Sequence, residues 1–572
     1  MDSCLMWVTL ILVGLSAADS SVSCPANCQC SSEGYANCTG VSITDIPPKL
    51  PLHTYTLNLF RTNMSFSSLK QEDLGDFSSS LQTFRIKDTV LREVRPGTFD
   101  SSPDLKALLL TGTELQDLPE ALFQKLQKLE YLSLMLNKLS VVHPQWFSSL
   151  TEMEKLDLSK NAITIVPEET FHPMTKLLYL FLSGNNISHI FSETFKGLSK
   201  LKILRLNQNK LRELPVGSLD DLVNLEELSL QHNLITHLHH DMFSKNLKLQ
   251  KLFLSSNRLT SLPQGIFFNL PLLFQISLYE NHLGRLGPGV FGAMPLQELW
   301  LYDNKLSHVE DDTFKNLTQL RLLVLSRNQI SQVSKDAFRG LQQLGEVSLH
   351  TNRLTTLQAG VFRDLPSLVN ISLEHNNIAS LPLGFLKGLS HLGQIDLRNN
   401  SFPNLPQESL DALSIADEVL LQWNPWRCDR NILPLREWLR LHPSKTNQSL
   451  VTCSIPFTLY GEQIDTLTDE NLTPFASTEE PVLTSIDVKG RPSPPIRSTP
   501  STAVKTTPSS DNEVTSSGQN NNGTTNNTSV ILIAVAAVST VIISSILIAY
   551  MIRRKNKSGK GNIGRRNKNS VL

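Results

Sequence analysis

One nine-residue pattern recurs through most of the chain at a nearly constant interval. The stretch LEYLSLMLN ends at Asn137, and segments of the same form, L-x-x-L-x-L-x-x-N, follow it along the sequence. Consecutive pattern asparagines are 24 residues apart, except for one interval of 23 between Asn281 and Asn304. Weaker upstream copies carry Thr in place of Asn, which brings the number of copies to sixteen. The Asn or Thr of each copy is Thr62, Thr89, Thr113, Asn137, Asn161, Asn185, Asn209, Asn233, Asn257, Asn281, Asn304, Asn328, Asn352, Asn376, Asn400 and Asn424.

The spacing inside the pattern predicts a strand followed by a turn. In x-L-x-L-x the leucines alternate with other residues, as side chains alternate between the two faces of a strand. The Asn follows where the chain leaves the strand, and its short amide can pair with backbone groups that the turn leaves open. Such a pattern with a period of about 20–29 residues is the leucine-rich repeat signature. It predicts an α/β solenoid over residues 51–424, a horseshoe whose parallel strands line a concave face.

A second periodic position accompanies the first. Most repeats carry Phe ten residues after the Asn, and Leu219, Leu386 and Leu410 replace it in three repeats. Because equivalent residues of a solenoid stack on one another, we expect these rings to form an apolar spine on the convex side. The repeat of 23 residues lacks one residue between Phe291 and Leu296, so we expect the convex side to absorb the deletion. The aromatic positions are Phe99, Phe123, Phe147, Phe171, Phe195, Phe243, Phe267, Phe291, Phe314, Phe338 and Phe362.

The composition fits one long folded array. Of 572 residues, 40% are hydrophobic and 18% are charged, which supplies a large core and excludes disorder of the whole chain. The net charge of −1 argues against a nucleic-acid partner. The charge is uneven, because residues 553–572 hold eight Lys or Arg and no Asp or Glu.

Two apolar segments explain that asymmetry. Residues 1–20 are predicted to be a secretory signal peptide, with a short N-terminal anchor as the alternative. Residues 530–552 are 23 uncharged residues, long enough to cross a hydrocarbon core of about 30 Å. The basic residues that follow stay on the cytoplasmic side, so 553–572 are predicted to be a cytoplasmic tail. The chain is therefore expected to be a type I protein of the plasma membrane.

The segment before the predicted span has a different composition. Residues 473–529 are rich in Thr, Ser, Pro and Asn, and they predict a glycosylated stalk with no folded core. Sequons for N-linked glycans are also frequent on the predicted extracellular side, which agrees with this topology. Their asparagines are Asn37, Asn63, Asn186, Asn316, Asn370, Asn399, Asn447, Asn471, Asn522, Asn526 and Asn527.

The cysteines lie at the two ends of the repeat array. Apart from Cys4 in the predicted signal peptide, four precede the repeats and two follow them. An even number in an oxidising compartment suggests three disulfides, although spacing alone leaves three connectivities open for the first four. These six residues are Cys24, Cys28, Cys30, Cys38, Cys428 and Cys453.

Both cysteine segments resemble caps of extracellular leucine-rich repeat proteins. Residues 21–50, with the spacing C-x3-C-x-C-x7-C, resemble the N-terminal cap, and this resemblance implies the pairs Cys24–Cys30 and Cys28–Cys38. Residues 425–472, which contain ILPLREWLRL, resemble the C-terminal cap. That cap usually has C-x-C and four cysteines, whereas Arg430 stands at the second position here, so one pair, Cys428–Cys453, is inferred.

Four stretches resemble a narrower group within this family. They are LQELWLYDN at 296–304, LVLSRNQIS at 323–331, VSLHTN at 347–352 and NPWRCDRNILPLREWL at 424–439. They are similar to surface proteins of the group that includes platelet glycoprotein V and the carboxypeptidase N regulatory subunit. The resemblance implies a non-catalytic surface protein in adhesion, with collagen-like or other matrix ligands.

The concave face is the expected binding surface, because its outward side chains are free of packing duty. Aromatic and Arg side chains dominate many binding interfaces. Tyr279, Trp300 and Tyr302 fall on two adjacent repeats and form the favoured patch, although cross-strand stacking alone could explain them. A glycan on Asn370 would block the C-terminal part of this face. The candidate ligand-binding residues are Tyr179, Phe181, Arg205, Phe253, Tyr279, Trp300, Tyr302 and Arg327.

Other motifs carry less functional information. The cluster His232, His237, His239 and His240 is interpreted as a solvated loop, so no metal or cofactor is predicted. No motif of a hydrolase, kinase, zinc protease or nucleotide-binding loop is present, and an enzyme is not predicted. The final residues Ser570-Val571-Leu572 are compatible with a ligand for a PDZ domain.

We therefore expect a cell-surface glycoprotein that binds matrix or another cell surface. The alternative is a signalling receptor or co-receptor for a secreted or pathogen-derived ligand, and a third reading is a scaffold for a secreted partner. The predicted tail of twenty residues is too short for a catalytic signalling domain, so any signal would pass through a partner.

Overall fold

The computed structural model describes residues 24–64, 68–390, 392–446 and 450–472. The predicted signal peptide, stalk, membrane span and cytoplasmic tail lie outside these residues. Within the described ranges, no helix combines the length and the apolar character that crossing a membrane requires.

The described chain is a single stack of short strands. β1 (Cys28–Cys30) and β2 (Tyr35–Thr39) form an antiparallel pair, and sixteen further strands then add in parallel, one from each repeat. These sixteen are β3 (Thr56–Phe60), β4 (Thr83–Lys87), β5 (Ala107–Thr111), β6 (Tyr131–Ser133), β7 (Lys155–Asp157), β8 (Tyr179–Phe181), β9 (Ile203–Arg205), β10 (Glu227–Ser229), β11 (Lys251–Phe253), β12 (Gln275–Ser277), β13 (Glu298–Trp300), β15 (Leu322–Val324), β17 (Glu346–Ser348), β18 (Asn370–Ser372), β19 (Leu392–Asp396) and β20 (Ala416–Leu420). β14 (His308–Val309) and β16 (Gln332–Val333) pair in a separate parallel sheet.

The register keeps equivalent residues side by side. Leu228 of β10 lies opposite Leu204 of β9 and Leu252 of β11, one period away on each side. The second leucine of the pattern, such as Leu230, is as fully buried as the first. Burying one Leu side chain contributes about 1.5–3 kcal/mol, so the regular leucines supply most of the hydrophobic stabilisation.

The pattern asparagines form a hydrogen-bond ladder inside the stack. In each of the thirteen repeats that carry Asn, its Nδ2 donates to a carbonyl of its own repeat and to one of the previous repeat, while its Oδ1 accepts a main-chain N–H. For Asn233 the partners are the carbonyls of Leu206 and Leu230, both at 2.9 Å, and the N–H of Leu211 at 3.1 Å. Each Asn thus pairs with three buried backbone groups, and successive asparagines share the carbonyls, as Leu206 accepts from both Asn209 and Asn233.

The predicted aromatic spine is present and buried. Phe147 and Phe171 have ring centroids 6.1 Å apart, and Phe267 lies 6.2 Å from Phe243 and 5.8 Å from Phe291. All these rings are at most 1% exposed. The spine therefore packs the side of the solenoid opposite to the outward face of the sheet.

The helical part of the predicted α/β class is largely wrong. Among the described residues, only α1 (Gln407–Leu413), between β19 and β20, and α2 (Leu433–Leu441), in the C-terminal cap, are α-helices. The segments between strands are otherwise turns with short 3-10 helices, because residues such as Pro263 and Gly265, the latter with φ of 76°, interrupt helix formation. The 3-10 helices are Gln71–Ser80, Pro144–Phe147, Arg430–Ile432, Phe457–Leu459, Ile464–Thr466 and Glu470–Leu472.

Disulfides hold both ends of the stack. The structure pairs Cys24 with Cys30, Cys28 with Cys38, and Cys428 with Cys453, as the resemblance to known caps implied. In the C-terminal cap, the buried Arg436 binds Asp469 at 2.7 Å and donates to the carbonyl of Leu467 at 3.2 Å. These contacts tie α2 to the last described residues.

The repeat of 23 residues keeps its place in the ladder. Asn304 still donates to Leu278 and accepts from Leu283, at 3.0 Å in both cases. The adjustment falls at Gly292, where an added Cβ would lie 2.7 Å from Cα of Phe268 in the previous repeat. The backbone of this repeat therefore lies against that of the previous repeat at a position that only glycine can occupy without displacement.

The ladder predicts a large cost for a single Asn substitution. Asn233→Ala leaves the buried N–H of Leu211 without its partner and removes one of the two donors to each of the carbonyls of Leu206 and Leu230, which keep Asn209 and Asn257. We therefore expect the free energy of unfolding to fall by about 1–3 kcal/mol. The matched control is the nearby Asn224→Ala, where two exposed hydrogen bonds are lost, with an expected loss below about 0.5 kcal/mol. Urea unfolding followed by circular dichroism measures both, and equal effects would contradict the ladder's role.

The shortened repeat gives a second prediction. Gly292→Ala forces the new methyl group against the Phe268 backbone, so we expect a loss of about 1–3 kcal/mol of stability. Gly284→Ala, with no atom within 4 Å of its added Cβ, should leave the thermal midpoint nearly unchanged. If both substitutions are tolerated equally, the close approach at Gly292 is not a constraint.

Candidate ligand-binding surface

A row of alternating aromatic and basic side chains crosses the outward face of the sheet. Lys155 of β7 places Nζ 4.5 Å from the ring centroid of Tyr131 on β6 and 5.5 Å from that of Phe181 on β8. The guanidinium of Arg205 on β9 lies 5.0 Å from the same Phe181 ring. We call these four residues the cation–aromatic row.

Acidic and basic groups continue the row. Arg205 donates through Nε and Nη2 to Oε1 of Glu227, at 3.0 and 2.9 Å, and Nζ of Lys251 lies 3.8 Å from Oε2 of that carboxylate. Burial lowers the pKa of Lys155, although Asp157 opposes the shift. The outward face therefore carries charged side chains, and each of these basic residues contacts an oppositely charged or aromatic side chain on a neighbouring strand.

Tyr279, Trp300 and Tyr302 form a second cluster, which we call the aromatic patch. The rings of Tyr279 and Tyr302 are stacked, with centroids 4.6 Å apart and an angle of 7° between planes. Trp300 meets Tyr302 edge to face at 6.2 Å, and its Nε1 donates to Glu298 at 3.3 Å. Burial raises the pKa of Tyr302, with further contributions from Tyr279 and nearby carboxylates. All three side chains are half-buried, so part of each ring faces solvent.

The remaining candidate residues are more dispersed. Tyr179 packs against Phe181 at 6.5 Å, and Phe253 is half-buried on β11. Arg327 lies at the carboxyl edge of the sheet, where it binds Asp303 at 2.7 Å. Two acidic residues that the strand pattern directs outward, Asp157 and Asp396, are only 8% and 4% exposed, and each is bound by a residue two positions further on, Ser159 and Arg398. The structure therefore joins two compact clusters rather than one continuous patch.

One cavity on this surface is a feature that the sequence did not reveal. It measures about 510 Å³ and opens at the carboxyl edge of the last strands. Its walls come from the two columns of residues that directly precede the ladder asparagines, and a comparison of these columns across repeats could have found it. We call it the terminal cavity, and it is lined by Arg327, His350, Thr351, Glu374, His375, Arg398, Asn399 and Trp423.

The second of these columns has an unusual backbone. The residue directly before the ladder Asn has a positive φ in repeat after repeat, including 53° at Arg327, 56° at His375 and 58° at Trp423. Residues other than glycine rarely adopt this backbone conformation. Main-chain hydrogen bonds between repeats hold it, as in the donation from Arg327 to His350 at 2.9 Å.

Glu374 is a carboxyl group of the terminal cavity whose ionised form is poorly stabilised by its surroundings. Its Oε2 is buried without a hydrogen-bond partner. Burial, together with the nearby Asp396, raises the pKa of Glu374 to about 7. Arg398 offsets little of this effect because its guanidinium already binds Asp396 and lies 5.7 Å from the Trp423 ring. Burial also lowers the pKa of His350, aided by His375 and Arg327.

The histidine cluster lies elsewhere, in an exposed turn. His239, His240 and Asp241 bring possible metal-binding atoms within 4.8 Å of one another, the only such group of three among the residues described. His240 already pairs with Asp241 at 2.7 Å, and His237 pairs with Glu213 at 3.5 Å. His232 lies in the positive-φ column instead, so the four predicted histidines do not converge.

The sequons are distributed over different surfaces. Asn37, Asn63, Asn186, Asn316 and Asn471 are exposed, whereas Asn370 and Asn399 are half-buried. Asn370 is on β18, and Asn399 lines the terminal cavity. The sequons at Asn447, Asn522, Asn526 and Asn527 fall outside the described residues.

Together, the ladder, the disulfide-bonded ends and the two side-chain clusters define an extracellular-type solenoid that serves as a protein-binding scaffold. The chain belongs to the leucine-rich repeat family. A leucine rich repeat model matches residues 79–139, 127–187, 179–235, 223–283, 247–299, 294–354, 324–378 and 342–402, which together span more than half of the sequence.

Known proteins support this assignment. Podocan of Mus musculus is 29% identical over 121 residues, which are 21% of this chain and 16% of Podocan, so the match spans about a sixth of that relative. A leucine-rich repeat protein of Leptospira interrogans is 27% identical with a TM-score of 0.52, over 66% of this chain and 94% of that one. TLR13, solved as a complex with ssRNA13, is 24% identical with a TM-score of 0.56, over 73% of this chain and 57% of that one, and shows the shared fold.

The raised pKa of Glu374 predicts a pH effect on stability. Because the folded protein holds this proton more tightly than the unfolded chain, whose ordinary value is 4.5, the contribution is full below about pH 4.5 and is lost as the pH rises through about 7. Glu374→Gln should remove this component, so its urea midpoint should exceed that of the wild type at pH 8 and approach it at pH 5. Glu346→Gln is the control; a parallel pH profile for both variants would contradict the assignment.

Proposed function

We propose that this protein is a type I cell-surface receptor for a protein ligand, which binds through the outward face of the sheet. The observation that supports this most directly is the aromatic patch, in which Tyr279, Trp300 and Tyr302 cluster on adjacent repeats. Partly exposed Trp and Tyr rings in a rigid setting are frequent centres of protein interfaces.

The cation–aromatic row extends the proposed interface toward the N-terminal repeats. Its basic groups already have aromatic or acidic partners, so binding would not require large side-chain reorganisation. A preorganised surface loses less conformational entropy when a ligand binds. The row would therefore contribute orientation and electrostatic selectivity, whereas the aromatic patch would contribute most of the binding energy.

For the ligand class we propose extracellular matrix, collagen included, with a role in cell adhesion. The supports are the four stretches similar to leucine-rich repeat-containing protein 15, platelet glycoprotein V and the carboxypeptidase N regulatory subunit, and the extracellular type of the solenoid. The same similarity supports a protein that acts by binding rather than by catalysis.

We further propose the membrane topology that the sequence suggests. A signal peptide over 1–20, a stalk over 473–529, a span over 530–552 and a tail over 553–572 would display the solenoid outside the cell. The carboxyl-terminal Ser570-Val571-Leu572 would then be available to a cytoplasmic PDZ domain.

Replacing Trp300 and Tyr302 with Ser tests the interface. We expect binding of cells that express the full chain to a matrix panel containing fibrillar collagen to fall by at least about tenfold in affinity, since two interface aromatics commonly contribute more than about 2 kcal/mol. The matched control replaces two exposed aromatics of the C-terminal cap, Phe457 and Tyr460, with Ser. These are 92% and 69% exposed and lie outside the sheet face.

The level of surface expression and the binding of a conformation-specific antibody should be unchanged in both double variants. Wild-type affinity in the Trp300/Tyr302 variant would exclude the aromatic patch as the interface. Loss of binding in both variants would place the contact outside the sheet face or indicate a folding defect. Exchanging residues 553–572 for an unrelated sequence separates adhesion, which should persist, from signalling through a tail partner, which should not.

A further inference from the structure

Asn399 and Trp423 occupy the same position in adjacent repeats. Each directly precedes a ladder asparagine, and their φ values are 50° and 58°. The N–H of Asn399 donates to the carbonyl of Gln422 at 3.1 Å, which fixes the two backbones side by side. Both side chains line the terminal cavity.

Trp423 is a large apolar side chain that the rest of the protein leaves mostly uncovered. It is 68% exposed, and the guanidinium of Arg398 lies 5.7 Å from its ring. No later repeat stacks on it, because β20 is the last strand of the sheet. An indole presents a broad apolar face as well as a polar N–H, so it is suited to cover another group of mixed character.

Asn399 is also the acceptor of the sequon Asn399-Asn400-Ser401. The three disulfides indicate folding in the oxidising secretory compartment, where such sequons are glycosylated. Asn186 and Asn316 are exposed sequons that do not line the terminal cavity, and they provide internal references.

We propose that an N-linked glycan on Asn399 packs its first sugar against the indole of Trp423 and occupies the terminal cavity. The glycan is transferred from a lipid diphosphate-linked oligosaccharide. The bond between the sugar C1 and Asn399 Nδ2 forms, the bond from C1 to the diphosphate breaks, and Nδ2 loses one proton. The C–H face of the sugar then covers the ring, while its hydroxyl and amide groups meet the polar wall of Glu374, His375 and Arg398.

The cavity has room for this arrangement. Its volume of about 510 Å³ exceeds that of a single sugar ring, and its wall combines one aromatic face with charged and polar groups. Burial of apolar C–H surface on the indole stabilises the packed glycan by the same hydrophobic contribution as protein side chains. The glycan would close the C-terminal end of the sheet face and leave the aromatic patch on the central repeats open.

The test measures how readily the native protein releases its glycan. The full chain is produced in mammalian secretory cells, and peptide mass spectrometry gives the occupancy of Asn399. The folded protein is then treated with a peptide N-glycosidase, and release is followed separately at Asn399 and Asn186. We expect release at Asn399 to be about tenfold slower than at Asn186, and slower than in the denatured chain, because a stacked contact of about 1.4 kcal/mol protects it.

Three variants identify the cause. Trp423→Ala should bring the rate at Asn399 close to that at Asn186, whereas Trp423→Phe, which keeps an aromatic face, should retain most of the protection. Phe457→Ala, which removes an exposed aromatic elsewhere in the C-terminal cap, should change neither rate. Circular dichroism verifies the fold of each variant.

An unoccupied Asn399 in the wild type overturns the proposal. So does fast release from the wild type, or a rate at Asn399 that is the same in Trp423→Ala as in the wild type. None of these results bears on the aromatic patch, because Asn399 and Trp423 take no part in that interface.

Discussion

The burial of backbone carbonyls at every turn is the constraint on which the solenoid depends. A chain that turns inward after each strand brings polar main-chain groups into an apolar stack, where no water can reach them. The asparagine of each repeat pairs two carbonyls and one N–H, and it links its own repeat to the preceding one. Leucine burial supplies the driving force for folding. The asparagine ladder fixes the register, because the buried backbone groups find their hydrogen-bond partners in one register only.

The same regularity explains how the outward face can carry function. Since the inner leucines, the ladder and the Phe spine account for packing, the alternate strand positions are free to vary. Nearby repeats then bring together residues that are distant in sequence, as Tyr131, Lys155, Phe181 and Arg205 show. The N-terminal and C-terminal disulfides protect the ends, where the sheet and the core would otherwise be open.

Much of this architecture could be predicted from the sequence because each repeat obeys a local rule. The leucine alternation, the Asn position and the Phe column required no knowledge of neighbouring repeats. The predicted α/β class overstated the helical content, because Pro and Gly, rather than the period, decide the conformation of the segments between strands. The terminal cavity was missed for a different reason: Glu374, Asn399 and Trp423 are unremarkable singly, and their meaning arises only from stacking. The aromatic patch was foreseeable because its members lie on two consecutive repeats.

The column of positive-φ residues has a consequence for how such a protein can change. Left-handed backbone at a residue with a side chain costs on the order of 1 kcal/mol. The chain carries this cost at twelve of the thirteen positions that directly precede a ladder asparagine, and only Gly184 avoids it. Because main-chain bonds between neighbours hold the conformation whichever side chain is present, this rim can exchange one chemistry for another without disturbing the coil beneath. A designer seeking a new specificity, or greater heat resistance through glycine, would therefore begin along this edge.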